Sequence, residues 1–429
     1  MNNQFVFDSK IKTTLLGFII VGAICLGATF MMDSARGWTN LLQNAVMFTG
    51  VAFISLFSVS AFTTAYAGWY VQFKRLFESY YLFLPIGLIL LLIVAGGVWG
   101  HMHHMYHWAD ETLLQPGTEA FDKVLYGKSG FLNKYVYTFG TIIAVGAWIF
   151  FAFKLRALSV AEDKTGQGAN FKSHRTIRFW SAVFLPIGAF SSAMLIWQWM
   201  MSIDAHWYST MFAWYTTASW WVTALAMMIL TLIFLKGRGH YQNVTEEHLH
   251  DMGKLMFAFS IFWTYLWFSQ FMLIWYGNVG EETVYFFERR ENYPVLFYGN
   301  LVINFVLPFL VLLRNSTKRK YGTMIFVSVM LIFGHFIDFF QMIKPGVRRG
   351  MVHHDHAAGD HAAITVDTAS NADFYLEFAS GWTLPGLLEI FIFLGFLALF
   401  MYNAFFRLAQ AQLEPSHDPY MEESRHHHT

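Results

Sequence analysis

The sequence has one cysteine, Cys25, which lies inside the first long apolar segment. One thiol cannot hold an iron–sulfur cluster, and no Cys-x-x-Cys-His segment is present for the attachment of a c-type haem. We therefore expect that this chain binds no cofactor and no metal ion itself. A redox metal that works with this protein would belong to a partner subunit.

Charged residues are also scarce, at 13% of the chain, whereas a soluble domain carries about 25%. The 28 basic residues balance the 28 acidic ones, so no excess of positive charge indicates a nucleic acid partner. Hydrophobic residues make up 56% of the chain, and they occur in runs of about twenty, enough for a helix to cross ~30 Å of hydrocarbon. Lipid offers no hydrogen-bond partners to a backbone, so these runs should be helices. The fold class is an all-α polytopic membrane protein in contact with lipid.

The apolar runs predict ten transmembrane helices. Their approximate residue ranges are 11–32, 43–66, 81–99, 132–153, 178–200, 211–235, 254–276, 294–313, 322–342 and 384–406. We expect a single integral membrane domain, residues 1–407, followed by a disordered cytoplasmic tail, residues 408–429. The stretch from residue 43 to 75 has no break and would also fit one long tilted helix.

Two segments echo each other and suggest an internal repeat. Met194–Trp197 is followed by Asp204 much as Met330–Phe333 is followed by Asp338. Both segments point the same way across the membrane, which fits a parallel repeat of two four-helix bundles with two flanking helices. The expected bounds are about 43–200 and 211–343 for the bundles, and about 11–32 and 384–406 for the flanking helices. Chance similarity among Leu-, Phe- and Met-rich helices is the alternative.

Basic residues are distributed unevenly between the two sides of the predicted membrane domain. With the N-terminus inside, 19 of the 28 Lys and Arg residues fall on the inner side. The positive-inside rule then places both termini in the cytoplasm. We expect a multi-pass membrane protein, and the resemblance described below implies the inner membrane of a bacterium.

Ionisable residues inside lipid are costly unless they are paired or face water, so each one is a functional candidate. His335 and Asp338 are three residues apart on the ninth span, where their side chains can touch. The other candidates lie near the same outer depth: Gln198, Asp204, His206 and Glu389. We interpret the set as a proton pathway or a quinone-like cavity toward the periplasmic side, since His and buried carboxyl groups can exchange protons near neutral pH.

Three other interpretations stay open. The polar groups could serve only to hold helices together in a structural subunit. Asp204 and His206 could be a loop pair that caps the start of the sixth span. The chain could also be a standalone secondary transporter.

A group of histidines follows the third span. His103 and His107 are four residues apart, a spacing that could bind a metal on a helix face. A helix lying at the membrane interface is the more typical explanation, and we favour it. A b-type haem would need two histidines at suitable depth, and only His335 is clearly inside a span.

Two segments carry a resemblance to a known family. They are Trp197–Met211, which reads WQWMMSIDAHWYSTM, and Trp267–Asn278, which reads WFSQFMLIWYGN and is followed by Glu281-Glu282-Thr283. Both are similar to the ActF-type NrfD-like (polysulfide-reductase-type) membrane subunits of bacterial alternative complex III. The similarity is most specific over about residues 190–345.

The resemblance implies two four-helix bundles plus two flanking helices, and a place in a respiratory quinol:cytochrome c oxidoreductase. The implied partners are a second NrfD-like subunit, an iron–sulfur subunit and haem c subunits, which would carry the clusters and haems. It also implies a quinol site in the companion NrfD-like subunit. This chain would then conduct protons or act as a scaffold and would not be catalytic alone, although quinone or quinol binding by the chain itself stays open.

Overall fold

A computed structural model of the chain describes residues 4–118, 120–357 and 381–428, with the backbone alone for residues 351–357. Within these residues, ten helices are long and apolar enough to cross a membrane. The chain is therefore an all-α polytopic membrane protein, as its composition predicts. Most of the outer segment expected after the ninth span, residues 358–380, lies outside the described residues.

The described helices follow the predicted order. Those up to the middle of the chain are α1 Ser9–Met32, α2 Ser34–Thr64, α3 Lys74–Tyr81, α4 Leu84–Trp99, α5 Lys123–Lys128, α6 Lys134–Thr165, α7 Lys172–Trp199 and α8 Met211–Gly237. The remaining ones are α9 Glu246–Gly277, α10 Gly280–Asn292, α11 Pro294–Leu301, α12 Leu307–Leu312, α13 Asn315–Lys318, α14 Tyr321–Ala357, α15 Leu387–Leu408 and α16 Met421–Arg425. The turns of a π-helix, Val302–Val306, join α11 to α12 in one span.

Several helix ends differ from the predicted spans, and the structure also decides against the alternative of one long helix from residue 43 to 75. Helix α2 stops at Thr64 and does not run on to residue 75, because Tyr66 takes a left-handed backbone conformation with φ 57°, which ends helices. Helix α14 runs well past residue 342, although Lys344 and Pro345 follow. The sequence prediction was too short there because a charge and a proline both lower the score of a membrane span.

The long helices pack in two groups. Helices α2, α4, α6 and α7 contact one another, and α8, α9, α12 and α14 form a second group that meets the first through α2. Helix α1 packs along α15. At their crossing a Cβ on Gly22 would lie 2.6 Å from the Cα of Gly395, so only glycine permits this close approach.

The C-terminal segment, predicted to be disordered, packs against the rest of the chain. Leu413 and Met421 are buried, and Lys74 Nζ lies 2.9 Å from Asp418 Oδ2. Gln4 pairs with Gln412, so the two described ends of the chain lie at one end of the helices. The prediction of disorder from the polar composition of the tail was wrong, because polar groups of the tail bind to polar groups elsewhere in the protein.

Candidate functional site

Asp338, on α14, lies at the centre of a buried polar cluster. Ser219 Oγ and Trp263 Nε1 donate hydrogen bonds to Asp338 Oδ2 at 2.7 and 2.9 Å. Asn300 Nδ2 donates to Oδ1 at 2.7 Å, and the Tyr215 hydroxyl donates to Oδ1 as well. Both carboxyl oxygens are thus solvated by the protein in place of water, which offsets the cost of a charge at this depth.

His335 lies one helical turn before Asp338, and its side chain is fully buried. Its Nδ1 is 3.6 Å from Asp338 Oδ2, too long for a hydrogen bond, and neither ring nitrogen has a hydrogen-bond partner among the described residues. The predicted proximity of the pair is therefore observed. A buried imidazole without partners costs free energy, and a water molecule bound to the ring would remove part of that cost.

The span formed by α11 and α12 presents two asparagines to this cluster. Asn304, in the π-helical turn, donates from Nδ2 to Asn300 Oδ1 at 2.6 Å. A Cβ on Gly334 would come within 2.2 Å of Asn304 Oδ1, so α14 needs glycine at this position to let the amide approach. Turns of π-helix occur often at functional sites.

The Ser219 hydroxyl can serve two protonation states of Asp338. Its Oγ is 2.7 Å from Asp338 Oδ2 and 3.2 Å from the Tyr215 carbonyl oxygen. With the carboxylate ionised, the hydroxyl donates to it. With the carboxyl protonated, the hydroxyl can rotate to donate to the carbonyl and accept from Asp338. The hydroxyl therefore has a hydrogen-bond partner in either case without a movement of the helices.

Asp204 lies in a second cluster, beyond the end of α7. Arg289 Nη2 is 3.1 Å from Asp204 Oδ2, and Arg349 Nη2 is 2.5 Å from Oδ1. Arg349 Nη1 also lies 3.8 Å from Glu288 Oε2. Burial raises the pKa of the Glu288 carboxyl to about 7, against the influence of Arg289. This cluster therefore holds a group that changes charge near neutral pH.

Arg289 is held in place by a backbone carbonyl group that has no hydrogen-bond donor within its own helix. Pro345 has no N–H, so the Gln341 carbonyl, four residues earlier on α14, loses its helical donor. Arg289 Nε donates to that carbonyl oxygen at 2.9 Å. The proline that shortens the sequence prediction thus helps to position the arginine.

A small cavity lies between the two clusters. It has a volume of about 10 Å³, room for about one water molecule. Tyr215 borders it from the Asp338 cluster and Arg289 from the Asp204 cluster, and Gln270 and Gln341 also line it. The cavity can connect the clusters through a water molecule but is far too small for an aromatic ring.

Glu389 belongs to a different cluster. Arg36 binds its carboxylate through Nε and Nη2 at 2.7 and 2.8 Å, and Asn40 Nδ2 donates at 3.1 Å. Lys344 Nζ lies 3.7 Å from Glu389 Oε1. Lys344 follows Asp338 by six residues on α14, or ~9 Å along the helix axis. Glu389 therefore lies at a depth similar to that of Asp338, as predicted, but it contacts a different set of residues.

Gln198 and His206 have partners outside these clusters. Gln198 Nε2 donates to the Phe131 carbonyl at 2.6 Å. His206 Nε2 lies 2.5 Å from Asp122 Oδ2, and its side chain is 46% exposed. Thr210 precedes α8 without a side-chain cap hydrogen bond. The structure therefore separates His206 from Asp204, although the two are neighbours in sequence.

The histidines after the third span do not share a helix face. His101–Tyr106 is irregular, and His103 Nε2 lies 3.2 Å from the Val94 carbonyl oxygen. The expected interfacial helix is replaced by this irregular segment. In residues 4–118, 120–350 and 381–428, whose side chains the structure describes, no three His, Cys, Asp or Glu side chains form a group that could hold a metal ion.

Sequence reasoning missed most partners of the buried acids. For Asp338, a pattern was present: Tyr215, Ser219 and Thr223 repeat at four residues along an apolar span, and Asn300 and Asn304 do the same. Such repeats place polar groups on one helix face. Arg349 lies beyond residue 342, where the ninth span was predicted to end, and Arg289 lies outside every predicted span, so neither was expected to pair with a buried acid.

Comparison with known protein-family models gives no match. A search of curated proteins gives no match either. The relation to ActF-type subunits therefore stays a prediction, based on the two segments quoted above.

Proposed function

We propose that this chain is a membrane subunit of a respiratory quinol:electron-acceptor oxidoreductase and that it supplies a proton pathway. The pathway joins the Asp204 cluster to Asp338 and His335. The observation that carries the proposal is the pair formed by a fully buried carboxyl group with four donors and a buried imidazole without hydrogen-bond partners. Groups arranged in this way can bind and release a proton.

The quoted segments support this assignment by where they lie. Asp204 is in the first segment, and Trp267 and Gln270 of the second segment line the water-sized cavity. The second segment thus borders the cavity, and the first segment reaches it through the contact of Asp204 with Arg289. Lys and Arg counts put this place toward the periplasm.

The proposed route uses residues that can both donate and accept. Once the Tyr215 hydroxyl turns from Asp338 toward the cavity that it borders, it gives its own proton to a water molecule there and accepts the proton of the Asp338 carboxyl in exchange. Arg289 does not give up its own proton. It keeps Asp204 paired, and Asp204 with Glu288 forms the acidic end of the route.

The size of the cavity between the two clusters favours proton transfer over quinol binding at that place. A volume of about 10 Å³ holds a water molecule and no ring. Proton transfer is therefore the role that we assign to the residues around this cavity, and quinol oxidation is the role that we assign to a partner subunit.

Measurements on the assembled complex test the proposal. Asp338→Asn should lower proton release per quinol oxidised, because an amide cannot carry the proton. His335→Gln should also lower proton release per quinol oxidised. Gln198→Ala, which changes a buried polar residue outside the clusters, serves as the control and should leave the proton yield as in the native complex.

Unchanged quinol oxidation and proton release in both variants, with normal assembly, would favour a scaffold and contradict the proposed pathway. Purification of the chain should also bring down haem c and iron–sulfur subunits, visible in the absorption spectrum. A chain that purifies alone and moves a solute across vesicles would instead be a transporter.

A further inference from the structure

A groove on the outside of the helices is separate from the proposed proton pathway. It encloses about 440 Å³ between α1, α8, α14 and α15. Its walls are mostly apolar side chains of spanning helices, among them Leu15, Leu230, Ile332 and Phe405. In a bilayer such walls face hydrocarbon, so the chemistry that fits the groove is an acyl chain.

One end of the groove is positively charged. Lys10 and Arg238 line it there, and Arg238 Nη1 lies 2.6 Å from Asp8 Oδ2. Two positive charges against one negative charge leave a net +1 at this end. An anionic group complements that charge, as in the basic pockets between membrane helices that bind lipid head groups.

The depth of the groove matches one leaflet of a bilayer. From Arg238 to Met227 along α8 there are eleven residues, or ~17 Å at 1.5 Å per residue. Half of a hydrocarbon core is ~15 Å. A lipid with its phosphate at the charged end would therefore place its acyl chain along the full groove.

We propose that this groove binds one anionic phospholipid from the leaflet on the side of the chain termini. Lys10 and Arg238 bind the phosphate, and the acyl chain packs between α1 and α8. The lipid would fill the gap between the α1–α15 pair and the second helix group. This site is independent of the proton pathway.

Native mass spectrometry of the full chain in mild detergent tests the proposal, with phosphatidylglycerol and phosphatidylcholine as probes. The native protein should retain phosphatidylglycerol more tightly. Replacing both Lys10→Gln and Arg238→Gln should weaken that binding by about 25-fold, at about fivefold for each cation. Phosphatidylcholine binding should stay nearly the same.

Three further variants separate the head-group site from general surface charge. Asp8→Asn frees Arg238 and should keep or strengthen phosphatidylglycerol binding. Lys12→Gln removes an exposed cation that does not line the groove and should change binding by less than about twofold, because solvent screens it. Leu230→Trp fills the groove and should remove both lipids.

Equal affinity for the two lipids in the native protein would overturn the proposal. So would native-like phosphatidylglycerol binding by the double variant. The proposal would also be overturned if the purified protein held a neutral isoprenoid quinone in the groove, or if a helix of another subunit filled the groove and excluded lipid.

Discussion

Arg289 donates its Nε hydrogen to the carbonyl oxygen of Gln341, at 2.9 Å. That carbonyl is free because Pro345, four residues later on α14, has no N–H. The same guanidinium lies 3.1 Å from Asp204 Oδ2. A proline in a membrane helix thus positions a cation, and the cation holds an acid at the end of the proposed proton pathway.

Replacing Pro345→Ala should restore the helical hydrogen bond to Gln341 and displace Arg289. We expect the free energy of unfolding to stay the same or rise by about 1 kcal/mol, while proton release falls because Asp204 loses an anchor. Thermal unfolding and proton yield check this. Pro186→Ala, a proline inside α7, is the control and should not change proton release; equal losses in both variants would show that Arg289 placement is irrelevant.

The Glu389 cluster should respond unequally to the loss of its charges. Glu389→Gln leaves Arg36 and Lys344 buried together and should lower stability by about 3–5 kcal/mol. Lys344→Met keeps the bidentate Arg36–Glu389 pair and should cost far less. Combining both changes should recover stability relative to Glu389→Gln alone. Thermal unfolding in detergent measures all three, and additive losses would contradict the pairing.

The C-terminal segment should contribute to stability. Ending the chain after Gln412 removes Asp418 and leaves Lys74 buried without its partner, at a cost of about 3–5 kcal/mol. Limited proteolysis and thermal unfolding should show a destabilised membrane domain. Glu422→Gln changes an exposed carboxylate whose neighbours are Arg425 and His426, and it is the control. A truncated protein as stable as the native one would mean that the segment contributes nothing.

Stability should also depend on the charge of Glu288. Burial raises the pKa of its carboxyl from 4.5 to about 7, while Arg289 and Arg349 lower it and Asp204 raises it. The folded protein therefore binds this proton more tightly than the unfolded chain, and the stabilisation present at low pH is lost as the pH rises from 4.5 to about 7. In Glu288→Gln, the free energy of unfolding should depend less on pH across that range. A slope that persists in the variant would assign the titration to another group.

The fold and part of the site follow from the sequence. Apolar runs locate the ten spans because lipid admits only helices there, and the three-residue spacing brings His335 to Asp338. The partners of Glu389 and Asp204 could not be read in this way. Arg36 is 353 residues from Glu389, and such a pairing depends on tertiary packing.

A charge near a predicted span also has two explanations that composition cannot separate. Lys344 could mark the end of a helix or, as the structure has it, lie buried beside Glu389. The same difficulty applies to the C-terminal tail. Asp418 adds to the polar composition that predicted disorder, and the sequence does not show that it pairs with the buried Lys74. Charge scarcity identifies a membrane protein, and charge pairing becomes visible only in three dimensions.

Infrared difference spectroscopy on acidification of the purified protein tests the central claim most directly. Protonation of Asp338 should give a carboxyl C=O band that shifts in D₂O, disappears in Asp338→Asn and moves in Asp338→Glu. The band should persist in Glu288→Gln, which removes a separate titrating carboxyl. A spectrum in which Asp338→Asn loses no band would show that Asp338 does not exchange a proton and would contradict the pathway.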